Sequence, residues 1–289
     1  MRREWQVFRV ATTYVGTVVG AGFASGQETL RFFAAYGRFG LAGVAVATAL
    51  FCLFGITVME LGRRLRARTH REVLDHACGP RLGRVMDVAI TFFLSATLTV
   101  MVAGGGAIFA QQFGAPYALG TLVTALLTGA TILAGMRGIM AANSIVVPLL
   151  TTAVVFLVAT SLHDLGVGPA FSQLAPHPAL APARSWWMAA LLYVSYNLAL
   201  SISVLGPLGA EVGNRRVLLW GGTLGGLTLG LMAAGMTLTV GAHLPEAAVE
   251  IPMLYLSRSH SQVVQWFYAL ILWAEIYTTA VACAYGFAG

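Results

Sequence analysis

The first long apolar stretch of the chain is interrupted by a glycine-rich run, Gly20-Ala21-Gly22-Phe23-Ala24-Ser25-Gly26-Gln27-Glu28. Glycine adopts backbone conformations that break a helix, and it lets a ligand approach the main chain closely. In a membrane, a broken helix leaves N–H and C=O groups that lipid cannot satisfy, so a break is tolerated where the backbone lines a cavity. The run therefore predicts a helix break that forms part of a binding site.

The composition indicates a membrane protein. The chain is 58% hydrophobic and 10% charged, whereas soluble domains are about 45–50% apolar. Apolar stretches long enough to cross a bilayer recur along its 289 residues, which predicts an all-α polytopic protein with the lipid bilayer as a partner. The net charge of +6 does not indicate a nucleic-acid partner, because all 17 basic residues are arginines and most lie in a few loops.

Eight apolar segments can be distinguished by their hydrophobicity. They cover approximately residues 6–37, 41–62, 85–112, 117–136, 139–162, 186–210, 217–242 and 263–288. Seven arginines lie in the loop 63–84, which follows the second segment. Arg137 follows the fourth segment, and Arg215 and Arg216 follow the sixth, so all of these loops lie on the same side of the membrane. The positive-inside rule then predicts a multi-pass protein of the bacterial inner (cytoplasmic) membrane with its N-terminus in the cytoplasm.

The sixth segment contains a second candidate interruption, Ser201 to Gly209, with Gly206, Pro207 and Gly209. Two interrupted segments at corresponding places in the two halves of a chain point to the binding site of a secondary transporter. The five glycines of the seventh segment have no charged residue near them, and they predict helix packing only.

The first interruption has chemistry suited to a zwitterion and a coupling ion. The N–H end of the second half-helix favours a carboxylate, and the carbonyl end of the first favours a cation. Close helix packing through Gly16 and Gly20, or Gly22 and Gly26, is the structural alternative. The neighbouring Ser25, Gln27 and Glu28 favour function, because an intramembrane carboxylate is a functional hypothesis by default. The alternative for Glu28 is an ion pair with Arg31, three residues later.

These motifs resemble those of a known family. Gly20-Ala21-Gly22-Phe23 is similar to the glycine-small-glycine signature of the amino acid–polyamine–organocation (APC) transporters. The segment Glu211-Val212-Gly213-Asn214-Arg215-Arg216 looks like their Glu-x-x-Asn-Pro-x-Arg motif without the proline. The longer run Gly20 to Glu28 most resembles the YkvI-type membrane proteins of that superfamily.

The resemblance implies the LeuT-like fold, which has two inverted five-helix repeats with helices 1 and 6 broken at mid-membrane. Residues 1–162 would form the first repeat (TM1–TM5), 163–185 an outer loop, and 186–289 an incomplete second repeat (TM6–TM8). Eight of the ten helices of that fold would thus be present, and helices nine and ten are expected to be absent. The substrate site would include Gly20, Ala21, Gly22, Ser25, Gly26, Gln27, Glu28, Tyr196, Asn197 and Ser201.

Alignment of the glycine motif with sodium-coupled relatives also implies an ion site. It would consist of the carbonyls of Gly16 and Val19 and the hydroxyls of Thr278 and Thr279 in the eighth segment, and it could hold sodium. The alternative is that both threonine hydroxyls bond to their own helix. Glu275, one turn earlier, could instead carry a coupling proton, bind a cation or pair with an arginine.

The sequence thus predicts a sodium- or proton-coupled symporter of amino acids or related small amines, which works by alternating access. The alternative is a ligand-sensing membrane receptor with the same fold and no transport. No cofactor is expected, because the spacing GxGxxxG without a preceding strand is not a dinucleotide fingerprint. No Ser/His, HExxH or Asp-pair pattern predicts an enzyme, and the sequence leaves the oligomeric state open.

Overall fold

The computed structural model describes residues 3–288, except for the side chains of residues 259 and 260. The described chain is almost entirely helical. Its α-helices are α1 (Arg3–Val18), α2 (Ala21–Ala24), α3 (Gln27–Thr29), α4 (Arg38–Leu65), α5 (His70–Phe113), α6 (Tyr117–Leu133), α7 (Gly135–Leu165), α8 (Val167–Gln173), α9 (Trp186–Val212), α10 (Arg215–Ala242), α11 (Pro252–His260) and α12 (Gln262–Ala288). A π-helical turn, Leu30–Ala34, follows α3, and a 3₁₀ turn, Pro178–Leu180, precedes α9.

All eight predicted apolar segments form helices. Within the described residues, α4, α5, α7, α9, α10 and α12 are long and apolar enough to cross a membrane, and α6 is a shorter apolar helix. Large apolar side chains such as Phe92, Phe93 and Leu133 are exposed on the outer surface, as expected where lipid replaces water. This is the helix pattern of a multi-pass membrane protein.

The long helix α5 consists of two parts joined at a kink. Its start is fixed by a capping box, in which Glu72 accepts from the backbone N–H of Thr69 at 2.8 Å. The kink lies at Gly79, whose φ of 78° belongs to the left-handed region, and Pro80 follows it. The part before the kink lies in the arginine-rich loop, and the part after it continues as the third apolar segment.

The long helices pack in two groups. In the first group, α4 packs along α9 and α10, and α1 packs along α10 and α9. In the second group, α12 packs against α5, α6 and α7, and α7 also packs against α1 and α10 of the first group. We call the first group (α1, α4, α9, α10) the bundle and the second (α5, α6, α7, α12) the scaffold. The division of the chain into repeats at residues 162 and 186 stays a prediction.

Glycines bring the bundle helices into close contact. On α10, a Cβ at Gly221 would touch Val10 of α1, and one at Gly226 would touch Cys52 of α4. Both contacts lie closer than packed carbon atoms normally approach, so the helices meet through the absence of side chains. The prediction that the glycines of the seventh segment serve packing is confirmed.

The predicted break in the sixth segment is wrong. Residues 186–212 form one continuous helix, α9, and Pro207 lies inside it. Its glycines instead pack against α4, since a Cβ at Gly209 would collide with the backbone carbonyl of Met59. Pro207 removes one backbone hydrogen bond, yet the helix continues through it.

The predicted break in the first segment is present. Helix α1 ends at Val18, and Gly20 has extended backbone angles (φ −114°, ψ −173°) before the short helix α2 begins. A second change of direction occurs at Gly26, whose φ of 86° is left-handed and favours glycine. The run that interrupts the apolar pattern is therefore the place where the helix is interrupted.

Candidate functional site

A cavity of about 290 Å³ opens beside the break in the first segment. Its walls come from both helix groups, so it lies at the interface between the bundle and the scaffold. They are formed by Thr17, Val18, Gly20, Ala21, Gly22, Glu28, Leu94, Thr97, Met101, Tyr196, Asn197, Leu200, Val204, Thr279, Ala282 and Cys283. Most of these side chains are apolar, which is usual for small-molecule sites that carry a few placed polar groups.

Glu28 supplies the only carboxyl group among the described residues that line this cavity. Its side chain lies against Gly22, where a Cβ would come within 3.0 Å of the Glu28 carboxyl carbon. The Oε2 atom is inaccessible to solvent and has no hydrogen-bond partner. The chain's own carboxyl group therefore fills the space that a side chain at Gly22 would take.

An aromatic cluster holds the residues around Glu28. The phenol groups of Tyr193 and Tyr196 face its carboxyl group, and their rings are in edge contact with centroids 5.7 Å apart. Phe32 packs against both tyrosines. The Oη atom of Tyr193 is buried and has no hydrogen-bond partner. Sequence reasoning missed Tyr193, which lies one helical turn before Asn197 and shares its face.

Two hydroxyl groups contact the carbonyls at the end of α1. Ser201 of α9 donates to the carbonyl oxygen of Thr17 at 3.2 Å. The Thr279 hydroxyl of α12 lies 3.3 Å from the carbonyl oxygen of Val19 and donates to the carbonyl of Glu275 at 2.8 Å. The break thus exposes carbonyl oxygens, and hydroxyls from a bundle helix and a scaffold helix reach them.

Glu275 is fully buried in α12, one turn before Thr279. Its Oε1 atom has no hydrogen-bond partner, and the Thr278 hydroxyl lies 3.5 Å from Oε2. Thr278 also donates to the Glu275 carbonyl at 3.1 Å, so its hydroxyl turns toward its own helix rather than toward Val19. A carboxyl group buried without a cationic partner is costly unless it holds a proton or a cation.

Gly16 lies one turn before the break and packs against Asn143 of α7. A Cβ at Gly16 would collide with the Asn143 side chain. The Asn143 side chain is 0% exposed, and both its Oδ1 and its Nδ2 lack a hydrogen-bond partner. Sequence reasoning missed this residue, although an amide in the middle of an apolar segment was a usable signal.

The remaining predicted substrate residues lie outside the cavity wall. Ser25 donates to the Gly22 carbonyl at 3.0 Å, and Gly26 packs against Met253 at the start of α11. Gln27 donates to the Val249 carbonyl at 2.9 Å and accepts from Arg31 at 3.1 Å. These residues hold the segment between α10 and α12 against the broken helix. Of the predicted substrate set, Gly20, Ala21, Gly22, Glu28, Tyr196 and Asn197 line the cavity.

A larger groove of about 1060 Å³ lies between α1, α7 and α10. It is lined mainly by side chains such as Val7, Phe8, Val147 and Leu224, and Trp220 at its edge is exposed. It contains none of the unpartnered buried polar atoms described above. We therefore take the cavity at the break as the candidate site and regard this groove as surface that faces lipid.

The sequence has relatives among bacterial proteins. The chain is 34% identical over 281 residues to the uncharacterized membrane protein YkvI of Bacillus subtilis. The aligned region covers 96% of this chain and 79% of YkvI. It is 30% identical over 200 residues to the uncharacterized protein YyaD of the same organism, and this aligned region covers 68% of the chain and 55% of YyaD. No protein-family model matches the chain.

Solved structures with a similar backbone are transporters. The manganese transporter of Eremococcus coleocola superimposes with a TM-score of 0.64 at 18% identity and covers 97% of this chain. The nucleobase-cation-symport-1 family transporter Mhp1, in a closed conformation with bromovinylhydantoin bound, superimposes with a TM-score of 0.65 at 15% identity. The chain spans 65% of the length of each. At this identity the likeness shows the fold, which is all-α and LeuT-like.

Proposed function

Because the chain belongs to the YkvI family of membrane proteins and has a LeuT-like fold, we propose that it is a secondary transporter. It transports amino acids or related small amines by alternating access, coupled to sodium or to protons. The observation that carries the proposal is the cavity at the broken first helix, which lies between bundle and scaffold and contains the buried carboxyl group of Glu28.

The position of the cavity supports alternating access. Substrate bound there contacts α1, α2 and α9 on one side and α5 and α12 on the other. A rocking motion of the bundle against the scaffold would then change which end of the cavity is open. The outer segment that packs on Gly26, where the Met253 N–H donates to the Ser25 carbonyl at 2.9 Å, would close one end.

The joint between α1 and α12 supports ion coupling. The Val19 carbonyl and the Thr279 hydroxyl are 3.3 Å apart, and hard cations prefer such oxygen ligands. A sodium ion there would tie the bundle to the scaffold in one state. Glu275, buried one turn away, would carry the proton if protons are the coupling ion. The N-terminus lies in the cytoplasm under this proposal, in a bacterial inner membrane.

The test is gradient-driven uptake into proteoliposomes of a labelled mixture of amino acids and small amines. We expect uptake by the wild-type chain under an imposed sodium or proton gradient, and none without a gradient. If sodium is the coupling ion, Thr279→Val raises the sodium concentration for half-maximal uptake about 10-fold, since it removes a hydrogen-bonding group from a charged partner. If protons are the coupling ion, Glu275→Gln abolishes the response of uptake to a pH gradient.

Thr152→Val is the matched control for the threonine variant. Thr152 lies on α7, and its hydroxyl donates to the carbonyl of its own helix at Pro148, so its loss leaves ion dependence unchanged. Saturable binding by a folded chain, with no flux under either gradient, would refute the transporter proposal and support a sensor. A Thr279→Val chain with wild-type sodium dependence, in a sodium-driven transporter, would refute the proposed ion site.

A further inference from the structure

We propose that the cavity binds a small organic cation, whose ammonium group pairs with Glu28, and that a free carboxylate on the ligand weakens binding. This inference rests on the proposed function for the biological role of the cavity, although the contacts and the binding test below do not depend on transport.

The first step is the charge of the cavity. Among the described residues that line it, Glu28 is the only acidic side chain, and none is an arginine or a histidine. The sequence contains no lysine at all. Arg31, three residues after Glu28, directs its Nε to Gln27 at 3.1 Å instead. In the described part of the chain, Glu28 thus has no cationic partner, and the cavity offers one negative group and no positive one.

The second step is the cost of that arrangement. A carboxylate removed from water without a cation loses several kcal/mol of solvation, at an order-of-magnitude level. The Oε2 atom of Glu28 and the nearby Oη atom of Tyr193 both lack a hydrogen-bond partner, so the protein leaves much of this cost unbalanced. An ammonium group in the cavity beside Glu28 supplies the missing positive charge, and its charge-assisted hydrogen bond to a carboxylate is about twice as strong as a neutral one.

The third step is the effect of Glu28 on a ligand carboxylate. The Glu28 side chain fills the space that a Cβ of Gly22 would take at the start of α2. A zwitterion would have to place its carboxylate near Glu28, within a cavity of about 290 Å³. Like charges at that distance in a buried site repel each other strongly. An amine without the carboxylate avoids this repulsion.

The fourth step concerns the rest of the ligand. Leu94, Met101, Leu200 and Val204 give the cavity apolar walls, which suit a short hydrocarbon chain or ring. Tyr196 presents an aromatic ring on the same side as Glu28 and can stabilise a cation further. A divalent metal ion fits less well, because the described residues contain no group of three or more His, Cys, Asp or Glu side chains.

The experiment measures binding to the purified full chain in nanodiscs by isothermal titration calorimetry. The probes are pairs that differ only in the carboxylate: valine and isobutylamine, leucine and isopentylamine, phenylalanine and phenethylamine. We expect at least one amine to bind about 10-fold more tightly than its amino acid. Glu28→Gln lowers the affinity for that amine about 30-fold or more, as loss of one partner of a buried charge pair does. Glu28→Asp retains the preference for the amine.

Glu246→Gln is the matched control, because it removes the same charge from an exposed position in the outer loop. The melting temperature of each variant without ligand identifies any chain that fails to fold. Tighter binding of the amino acids, binding of manganese alone, no binding of any probe to the wild-type chain, or an unchanged amine affinity in folded Glu28→Gln would each overturn the inference.

The binding experiment and the uptake experiment test the two proposals independently. If amines bind through Glu28 but no gradient drives their uptake, the inference stands and the transporter proposal fails. If a gradient drives the uptake of amino acids while amines neither bind nor compete, the transporter proposal stands and the inference fails.

Discussion

The first and sixth apolar segments contain the same kinds of helix-disrupting residue, yet only the first is broken. In the first segment, Gly20 is extended and Gly26 has a left-handed backbone. In the sixth, Gly206, Pro207 and Gly209 lie inside the continuous helix α9. Glycine therefore permits a break without causing one, and the neighbouring helices determine whether the segment breaks or stays helical.

The surroundings of the sixth segment favour a straight helix. The backbones of α4 and α9 touch, since a Cβ at Gly62 would collide with the Gly206 carbonyl and one at Gly209 with the Met59 carbonyl. Such contacts between small residues drive helix association in membranes. Unwinding α9 would give up this contact and would free backbone groups that are now hydrogen-bonded within the helix.

The surroundings of the first segment favour a break. The carbonyl groups near it are met by Ser201, Thr279 and Tyr268, and the last donates to the Ala24 carbonyl at 2.6 Å. Gly22 leaves room for the Glu28 side chain. Hydroxyl groups from other helices thus contact the carbonyl groups of the broken backbone, and the break leaves room for the polar Glu28 side chain. The sixth segment instead packs directly against the backbone of α4.

The largest effect is expected from a side chain added to the sixth segment. Gly209→Val places a branched side chain against the backbone of α4, which cannot move aside, so overpacking should cost about 1–3 kcal/mol or more. We expect loss of most of the monodisperse protein in size-exclusion chromatography. Gly129→Val is the control, because a Cβ at Gly129 meets nothing within 4 Å. Equal yields of the two variants would contradict the packing role of Gly209.

A smaller effect on folding, but a clear one on function, is expected in the first segment. Gly22→Ala directs a methyl group at the Glu28 carboxyl group, which is the flexible end of a side chain and can move. We expect a melting temperature within a few degrees of wild type and ligand affinity reduced about 10-fold, since a displaced charge pair loses roughly 1–2 kcal/mol.

Gly129→Ala is the control for the Gly22 variant, and it should leave affinity unchanged. If Gly22→Ala instead unfolds the chain, Gly22 packs as Gly209 does, and the two segments do not differ in the way described. If it folds and binds with wild-type affinity, the position of Glu28 against Gly22 is not important for binding.

Much of the fold could be predicted from the sequence, because hydrophobic segment length and glycine content act locally. The eight segments and the break at Gly20–Gly26 are of this kind. The error at the sixth segment arose from treating Gly206 and Gly209 as signals by themselves. The criterion that worked was the polar neighbours of Gly26, namely Gln27 and Glu28, and it also gave the correct interpretation of the seventh segment.

The candidate site was less predictable, because it depends on which helices meet. An acidic side chain within an apolar segment pointed to Glu28, and the resemblance to sodium-coupled relatives pointed to Thr279. Neither signal could show that Glu28 lies against Gly22, that Thr278 turns toward its own helix, or that Asn143 packs against Gly16. Each of these facts is a contact between residues that are distant in sequence or a choice of side-chain orientation.

The smallest effect is expected from Pro207→Ala, and it is the most direct test of the comparison. Alanine restores the missing backbone donor inside a helix that is already continuous, so uptake should stay within about two-fold of wild type if α9 remains closed throughout the transport cycle. Pro148→Ala is the matched control, since Pro148 also lies inside a continuous helix, α7. A Pro207→Ala chain that folds and binds ligand but no longer transports it would mean that α9 opens at Pro207 during the cycle. Both segments would then open during transport, and the continuous α9 would be only one of its conformations in the cycle.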